Sequence, residues 1–430
     1  MAQLAERHET LVAGFEALKG RPAFGQAGLA EARSQAFDRF LSQGFPTTRD
    51  EEWRFTNVAP IAALPFVPAP ARTFDDAAAA ALQPAGPVGV SIVVVNGRLA
   101  GDVPALPAGV TVRTISTAEA RDLVPARPKG ATVFADLNTA LFEDVIAIEI
   151  APRAVVTEPL QVLFVSVADG PVIVTPRLVV RAGEASQSTI FETYVDATPE
   201  GVAFVNAVVD FEVAANALVD HVKLQRQNPA SFHIAGVFAR LDRSATLTSH
   251  AVTVGARIAR NDIIAVLDGE GAEATLNGLY VATGDSLADT HTTIDHAKPH
   301  CPSHEVYKGI LTGRAKAVFN GKIFVRPDAQ KTDAKQTNKA LLLTDEAQIN
   351  TKPQLEIFAD DVKCTHGAAI GQLDEDALFY LRARGIATAE ARNMLIHAFA
   401  GDVLNGIRNE HARSTTMALV DHMLGLDEIG

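Results

Sequence analysis

The sequence predicts a mainly β protein in which a parallel β-helix, a solenoid of stacked coils, lies between helical N-terminal and C-terminal units. Three observations support this fold class. Short strand-like runs fill about 270 residues from Val88 onward, helical periodicity is confined to the two ends, and small residues recur at similar intervals. With 430 residues, the chain exceeds the roughly 250 to 300 residues at which one core stops growing, so two or three units are expected.

An alanine marks the recurrence in the central part of the chain. It occurs at Ala185, Ala217, Ala245, Ala274, Ala315 and Ala347. The spacings are 32, 28, 29, 41 and 32 residues, and we interpret the long interval as an insert from Asp285 to Cys301. Periods near 30 residues favour stacked coils. A β-sandwich or barrel is the alternative that periodicity leaves open.

The N-terminal unit is predicted to span residues 1–87. Apolar residues at helical spacing before Gly44 predict helices, and a helical hairpin fits them. Next, Thr48 and Glu51 have the spacing of a capping box at the start of a short helix. The Pro-rich and Ala-rich stretch 60–87 is interpreted as a linker with an Ala-rich turn or helix.

The β core is predicted to span residues 88–370. Its first strand-like run, Ser91 to Val95, ends at Asn96-Gly97, a dipeptide typical of a tight hairpin turn.

The C-terminal unit is predicted to span residues 371–430. One helix opens at Asp374, a second starts at Thr388, and a third short segment lies around Met417 to Leu424. An apolar stripe on the second helix consists of Ile396, Phe399, Val403 and Ile407. This stripe either closes the end of the solenoid or docks a partner.

Composition excludes several classes of function. Hydrophobic residues make up 47% and charged residues 21%, which fits a globular protein with a substantial core. The net charge of -13 and the lack of a basic stripe argue against nucleic-acid binding. We find no apolar run long enough for a membrane helix and no secretion signal, so a cytoplasmic location is expected.

A run of imidazoles with one thiol is a candidate metal site. The four histidines are His291, His296, His300 and His304, and Cys301 lies beside His300. Imidazole and thiolate are ligands of zinc and similar metals, although structural zinc sites usually have more cysteines at closer paired spacing. Polar and core histidines satisfied by hydrogen bonds are the alternative interpretation, and the one that we favour.

A second candidate site is the short segment that contains Cys364 and His366. In an extended chain these two side chains share a face, so they can ligate one ion. The neighbouring Lys363 is expected to help a thiolate form. Two ligands leave a tetrahedral site incomplete, so further donors must come from a second chain or from the histidine-rich run.

The sequence contains no complete nucleotide-binding motif. The glycine-rich stretch 269–274 is followed by a strand-like run where a phosphate-binding helix would have to begin, and a P-loop is absent. We therefore expect no ATP site in this chain. A nucleophile elbow and a zinc-protease helix are absent as well.

Several ordered blocks resemble the SufB/SufD family of iron-sulfur cluster assembly scaffolds. They are NGKIFV at 320–325, QKTDA at 330–334, QTNK at 336–339, KPQLEI at 352–357, DVKCTHGA at 361–368 and LFYLRARG at 378–385. The resemblance covers roughly residues 90 to 425, and EEWRFT at 51–56 is similar to the family's N-terminal element. The moderate length, this element and the CTHG motif resemble the SufD branch more than the longer SufB branch.

The resemblance implies a right-handed parallel β-helix between helical units and a non-catalytic scaffold subunit. It implies a complex with a SufB-like subunit through the β-helix and with a SufC-like ATPase through the C-terminal helices. A transient iron-sulfur cluster shared with SufB is implied near His366, and with less support Cys364. Reduced flavin is associated with such complexes, although no residue here identifies its site. A homodimer is a further arrangement for the isolated chain.

Three alternatives stay open. A SufB-like paralogue would work in the same pathway. A β-helix enzyme acting on polysaccharides could use Asp360, Asp361 and Lys363, although Trp and Tyr, which stack on sugars, are scarce. A self-contained zinc protein would use His296, His300, Cys301 and His304.

Overall fold

The computed structural model describes residues 9–21, 24, 29–83, 86–115, 124–126 and 129–424. Within this part of the chain, strands predominate and wind into a β-solenoid of about eight turns with helices before and after it. The fold class predicted from periodicity is therefore confirmed, and the sandwich and barrel alternatives are wrong.

The helices flank the solenoid at both ends of the sequence. They are α1 (Glu9–Lys19), α2 (Leu29–Gln43), α3 (Ala59–Ala62), α4 (Asp76–Ala81), α5 (Val133–Leu141), α6 (Glu375–Ala383), α7 (Thr388–Leu404) and α8 (Glu410–Met423). A single 3₁₀ turn covers Glu51–Trp53. None of the helices in the described ranges is long and apolar enough to cross a membrane.

The strands become regular in length along the chain. The first are β1 (Val67–Pro68), β2 (Val90–Val95), β3 (Arg98–Leu99), β4 (Val110–Arg113), β5 (Ile146–Ile150), β6 (Leu160–Ser166), β7 (Val172–Val174), β8 (Arg177–Ala182) and β9 (Gln187–Asp196). The rest are β10 (Ala203–Val213), β11 (Leu218–Gln225), β12 (Phe232–Leu241), β13 (Thr246–Val254), β14 (Ile258–Leu267), β15 (Glu273–Ala282), β16 (Leu287–His296), β17 (Pro302–Leu311), β18 (Lys316–Val325), β19 (Asp333–Leu342), β20 (Gln348–Ile357) and β21 (Lys363–Gly371).

Each coil contributes one strand to each of two sheets, in which the coils pair in parallel and only β3 and β4, at the first end, pair antiparallel among the described strands. Sheet A has the order β20-β18-β16-β14-β12-β10-β8-β5-β4, and sheet B the order β21-β19-β17-β15-β13-β11-β9-β6-β2-β3. Successive coils pair in parallel without register slips, so Leu267 is aligned with His296 and His296 with Val325. Inward side chains of both sheets form one continuous apolar core along the solenoid.

One residue per coil marks the entry into sheet B. These residues are Ser186, Ala217, Ala245, Ala272, Cys301, Thr332 and Val362, and each directly precedes a strand of that sheet. Their spacings are 31, 28, 27, 29, 31 and 30 residues. A small or medium side chain fits at this position because the chain reverses there in a turn of a few residues.

The predicted insert from Asp285 to Cys301 is wrong. This segment holds β16 and the turn after it, and both belong to a regular coil. The apparent long interval arose because Ala315 and Ala347 precede strands of sheet A, whereas the earlier alanines lie at the entry to sheet B.

Helices cover the outer faces of the two sheets. On sheet A, α1, α2 and α5 bury aromatic side chains, and the rings of Phe15 and Phe37 stack with their centroids 4.1 Å apart. On sheet B, α7 and α8 pack over Val252 and Leu279, among other apolar residues. The two helical units therefore lie on opposite faces of the solenoid.

Of three local predictions about turns and helix caps, two were confirmed. Asn96 and Gly97 link β2 to β3 with positive φ angles of 49° and 79°, as a tight hairpin requires. Asp374 caps α6 by accepting hydrogen bonds from two backbone N–H groups. The capping box did not form, since Asp50 is the N-cap residue of the 3₁₀ turn and its carboxylate accepts from Thr47 instead.

Candidate functional site

Among the residues that the structure describes, the solenoid ends in two strands that each have one unpaired edge. In sheet A this terminal strand is β20, and in sheet B it is β21, whose described partner is β19. The N–H and C=O groups along such an edge are free to pair with another chain. Because no coil follows β21, its side chains are mostly exposed.

Cys364 and His366 lie on this last strand and share a face, as the sequence predicted. Cys364 is aligned with Ala334 and His366 with Gln336, and both of these β19 residues are buried in the interior. Cys364 is half-buried against the apolar core, whereas His366 is exposed. The thiol and the imidazole therefore occupy the inward face of the strand at the open end of the solenoid.

The electrostatics of Cys364 differ from the expectation. Partial burial raises the pKa of its thiol, and the nearby charge of Asp333 acts in the same direction. Lys363 points to the other face because adjacent residues in a strand alternate. The predicted help of Lys363 in forming a thiolate is therefore not realised within this chain.

A buried polar layer lies directly beneath His366. Glu305, Gln336 and His366 are aligned on β17, β19 and β21, the strands of three successive coils. Gln336 Nε2 donates a hydrogen bond of 2.7 Å to Glu305 Oε2. Burial raises the pKa of the Glu305 carboxyl to about 7. Carboxyl and amide groups thus extend from the core to the candidate site.

Apolar side chains are exposed around the open end. Ile357 and Phe358 at the end of β20 are 37% and 59% exposed, and Ile370 at the end of β21 is 49% exposed. The ring of Phe358 packs on Phe324 with a centroid distance of 5.5 Å. Exposed apolar groups beside unpaired strand edges are typical of a protein interface.

The predicted metal run does not form a cluster. His300 occupies the left-handed turn position of its coil, with φ of 61°, and His304 is half-buried on β17. Cys301 is fully buried, and its Sγ donates to the carbonyl oxygens of Gly269 and Pro299. His296 is buried at the end of β16, bonds the hydroxyl of Ser303 at 3.0 Å, and has a pKa lowered to about 4 by burial.

Across the described ranges of the chain, no three such donors lie close enough together to hold a metal ion. Metal binding by this run stays a prediction without support from its geometry.

The acids proposed for a polysaccharide enzyme lie in the turn before β21. Asp361 pairs there with Lys331, and both side chains are exposed. Such an exposed ion pair is typical of a solvated turn. Neither of the two main cavities among the described residues is lined by Asp360, Asp361 or Lys363.

The apolar stripe of the second C-terminal helix faces the solenoid. Ile396, Val403 and Ile407 are 1% to 4% exposed. Ile396 on α7 and Ile407, which follows the end of α7, belong to the core between the helices and sheet B. Phe399 is half-buried against the same core, and its ring lies 4.3 Å from Lys308 Nζ. Of the two interpretations of this stripe, closure of the solenoid therefore matches its position.

A different set of side chains is exposed on the C-terminal unit. Phe379 and Tyr380 on α6 are 71% and 57% exposed, and Met394 on α7 is 46% exposed. We call these three residues the C-terminal apolar surface. They are the large hydrophobic side chains that this unit leaves to solvent among its described residues.

The EEWRFT element clamps the N-terminal unit onto sheet A. Trp53 is buried beneath the Arg260 guanidinium, and Thr56 donates to Asp289 at 2.6 Å. Glu52 lies 3.2 Å from the imidazole of His291, which also contacts Asp289. Burial by itself would lower the pKa of His291, but the charge of Asp289 and the hydrogen bonds to Asp289 and Glu52 together raise it to about 9, so the ring is charged at neutral pH.

Sequence reasoning missed Glu305 and Gln336. A signal for them was present, because Glu305, Gln336 and His366 are separated by 31 and 30 residues, which is one coil each. Spacing equal to the repeat places side chains in register on neighbouring strands.

A comparison with protein families matches residues 164–399 to the family described as "SUF system FeS cluster assembly, SufBD core domain". The matched segment includes β21 and most of α7. It therefore contains the candidate site and most of the helix that packs on the outer face of sheet B.

Two of the curated relatives align with about nine tenths of the chain, and a third with somewhat more than half. An iron-sulfur cluster assembly SufBD family protein of Synechocystis is 34% identical over 88% of this chain and 87% of its own length. The iron-sulfur cluster assembly protein SufD of Escherichia coli is 33% identical over 91% of this chain and 92% of its own. The chloroplastic protein ABCI7 of Arabidopsis thaliana is 34% identical over 58% of this chain and 52% of its own.

Proposed function

The chain belongs to the SufBD family of the SUF iron-sulfur cluster assembly system, and we propose that it is a SufD-like scaffold subunit on whose terminal strand a cluster is assembled. In this role it performs no catalysis of its own. The observation that carries the proposal is the pairing of Cys364 and His366 on the inward face of β21, at an unpaired sheet edge.

The chemistry of these two side chains suits an iron-sulfur cluster as cargo. Thiolate and imidazole are both cluster ligands, and a site with imidazole differs in charge from one with four thiolates. Since two donors cannot complete a cluster's coordination, the remaining ligands come from a partner. A site divided between two proteins can open when they separate, which favours transfer of the cluster to an acceptor.

A SufB-like subunit is the partner that we propose at the open end. The free edges of β20 and β21 offer backbone hydrogen bonds, and Ile357, Phe358 and Ile370 supply apolar contact area. The same surface would form a homodimer when the chain is isolated. Either arrangement covers a sheet edge that would otherwise promote aggregation.

A SufC-like ATPase is proposed to dock on the C-terminal apolar surface rather than on the stripe that contains Ile396. The stripe is used inside the chain, whereas Phe379, Tyr380 and Met394 are exposed. From α7, the backbone oxygen of Phe399 and the carboxylate of Asp402 bind Lys308 Nζ on β17. Movement of the helices would therefore act on the strand that holds Glu305.

We propose no ATP site and no flavin site in this chain. Nucleotide-binding motifs are missing from the sequence, and the family resemblance alone suggested flavin. The cytoplasmic location stays a prediction.

Anaerobic co-expression with SufB-like and SufC-like partners tests the cluster site. We compare His366→Ala with Lys363→Ala, which changes the opposite face of the same strand, and measure complex formation, iron and acid-labile sulfide. The expected result is an intact complex that loses its cluster only with His366→Ala. Unchanged cluster content in that variant would reject the role of His366, and failure to form any complex would reject the scaffold assignment.

Binding of the ATPase is tested separately. Phe379→Asp combined with Tyr380→Asp should abolish binding of the SufC-like partner, because two charges enter the centre of an apolar contact. Phe55→Asp, at a residue that is 45% exposed in the N-terminal unit, is the matched control and should bind normally. Full affinity of the double variant would reject this docking surface.

A further inference from the structure

We infer that Gln336 is a positioning residue for His366: its side-chain carbonyl oxygen accepts a hydrogen bond from one ring N–H, so that the other ring nitrogen faces the ligand. The inference rests on the proposed role of His366 in cluster assembly. It adds a group from the interior of the solenoid to a site that otherwise consists of residues on β21.

The register of sheet B brings the two residues together. Gln336 is directly aligned with His366 on the neighbouring parallel strand, so their side chains project from the same face. Gln336 is 2% exposed, and it lies one coil deeper in the solenoid than the exposed His366. The glutamine therefore forms part of the floor beneath the imidazole.

The hydrogen bonds of Gln336 fix the orientation of its amide. Its Nε2 donates to Glu305 Oε2 on the opposite neighbouring strand at 2.7 Å. The carboxyl of Glu305 has a pKa of about 7, so above that pH it is ionised and only accepts hydrogen bonds, which places the amide nitrogen towards Glu305 and the oxygen away from it. Among the described residues, this buried Oε1 has no hydrogen-bond partner.

A buried acceptor without a partner is costly, so a donor that reaches this oxygen would be stabilised by it. His366 is the neighbour on the side opposite Glu305, and its ring carries N–H donors. Because β21 is the last strand, its side chains are held less firmly than those of inner coils. A partner or a cluster at the open end would bring the imidazole onto Gln336.

The opposite sheet leaves room for this amide. Gly321 on β18 faces the interior, and a Cβ atom there would lie 2.2 Å from Gln336 Nε2. Any larger residue at this position would push the glutamine out of its place. Gly321 and Gln336 both lie in blocks that carry the family resemblance, and this contact gives a physical reason for the pair.

A ligating histidine commonly donates its second N–H to a carbonyl or carboxylate oxygen, which fixes its tautomer and its ring plane. Loss of such an acceptor typically lowers metal affinity about 10- to 100-fold. In this protein the acceptor would be Gln336, which Glu305 in turn orients. The side chain is thus a positioning group that does not itself touch the cluster.

The first test uses the complex of this chain with its SufB-like partner before a cluster is loaded, because the imidazole reaches Gln336 only when the open end is occupied. Selective ¹⁵N labelling of histidine, with His366→Ala to assign the signal, reports the tautomer and the solvent exchange of the ring N–H by NMR. In Gln336→Leu the exchange should be about tenfold faster, as expected when one hydrogen bond is lost. Lys335→Ala, on the outward face of the same strand, should match wild type.

A swap variant separates positioning from general damage to the fold. In Glu305→Gln with Gln336→Glu, the residue at 305 donates and the carboxylate at 336 keeps an oxygen for His366. Slow exchange should therefore return. If Gln336→Leu exchanges as slowly as wild type, or if the swap variant stays fast although folded, the inference is overturned.

The second test uses the assembled complex with SufB-like and SufC-like partners. The rate at which an iron chelator removes the cluster should rise about 10- to 100-fold in Gln336→Leu and stay unchanged in Lys335→Ala. If His366→Ala destroys the cluster but Gln336→Leu behaves as wild type, the positioning role fails and the proposed function stands. If His366→Ala has no effect, the proposed function fails first.

Discussion

The guanidinium carbon of Arg260 lies 3.7 Å from the centre of the Trp53 ring system. Arg260 also binds Asp262 and Asp289 through its nitrogen atoms and donates to the backbone oxygen of Glu52. The stack and the ion pairs join the EEWRFT element to the outer face of sheet A. This explains how a short N-terminal motif is tied to strands more than 200 residues later in the sequence.

Replacing Arg260 with Met should destabilise the protein by about 3–5 kcal/mol, because Asp289 would stay buried without its cation. Urea unfolding measures the free energy of unfolding. Arg240→Met is the matched control, since Arg240 is 67% exposed and pairs with Asp268, and it should cost about 0–1 kcal/mol. Equal losses in the two variants would contradict the buried clamp.

Alkaline pH should weaken the same contact through His291. Its pKa is about 9 in the folded chain and 6.5 for the unperturbed group, so its favourable charge is fully present below pH 6.5. The contribution is lost as the pH rises from 6.5 through about 9. Unfolding curves across this range should show a stability decrease in wild type that is smaller in His291→Gln. Identical pH dependence in both proteins would contradict the ion pair.

Acidic pH should loosen the C-terminal helices through His250. This ring lies on the outer face of sheet B beneath Gly406, and burial lowers its pKa from 6.5 to about 4, helped by the charges of His221 and Arg408. A depressed histidine pKa means that stability is complete above pH 6.5 and falls as the pH drops towards 4.

Hydrogen exchange of α7 and α8 measures this loosening. It should increase on acidification in wild type and less so in His250→Gln. Protection that does not depend on pH would contradict the prediction.

Core and surface positions on α7 should respond differently to truncation. Ile396→Ala should cost about 2–5 kcal/mol because it leaves a cavity between the helix and sheet B. Met394→Ala, two residues away and 46% exposed, should change stability by less than about 0.5 kcal/mol. Thermal or urea unfolding checks both values. A mild effect of Ile396→Ala would restore this stripe as a surface for a partner.

Local patterns were sufficient for much of the fold. Alternating β-branched runs and a repeat near 30 residues predicted a solenoid, since each coil must place small residues where the chain turns. Asp374 marked the start of α6, because helix caps act within one turn. Thr388 is the first residue of α7, as predicted, although Ala387 stands at the N-cap without a side-chain hydrogen bond. The shared face of Cys364 and His366 followed from strand geometry alone.

Patterns that depend on distant contacts were interpreted less well. The stripe with Ile396 has the same spacing whether it meets a partner or the chain's own sheet, and only packing onto sheet B distinguishes the two. The prediction of an insert from Asp285 to Cys301 was wrong because alanines that precede strands of sheet A and alanines at the entry to sheet B were counted as one series. Helical or strand periodicity reports which residues share a face, and not what covers that face.

The sequence by itself determined the architecture, the family and the two donors on the last strand, because these follow from local spacing and ordered motifs. Only the tertiary structure decided what surrounds those donors: an open sheet edge, a thiol with a raised pKa, and a buried amide beside His366. The physical reason is that coil stacking sets register between strands about 30 residues apart, and burial then fixes the energy of each polar group.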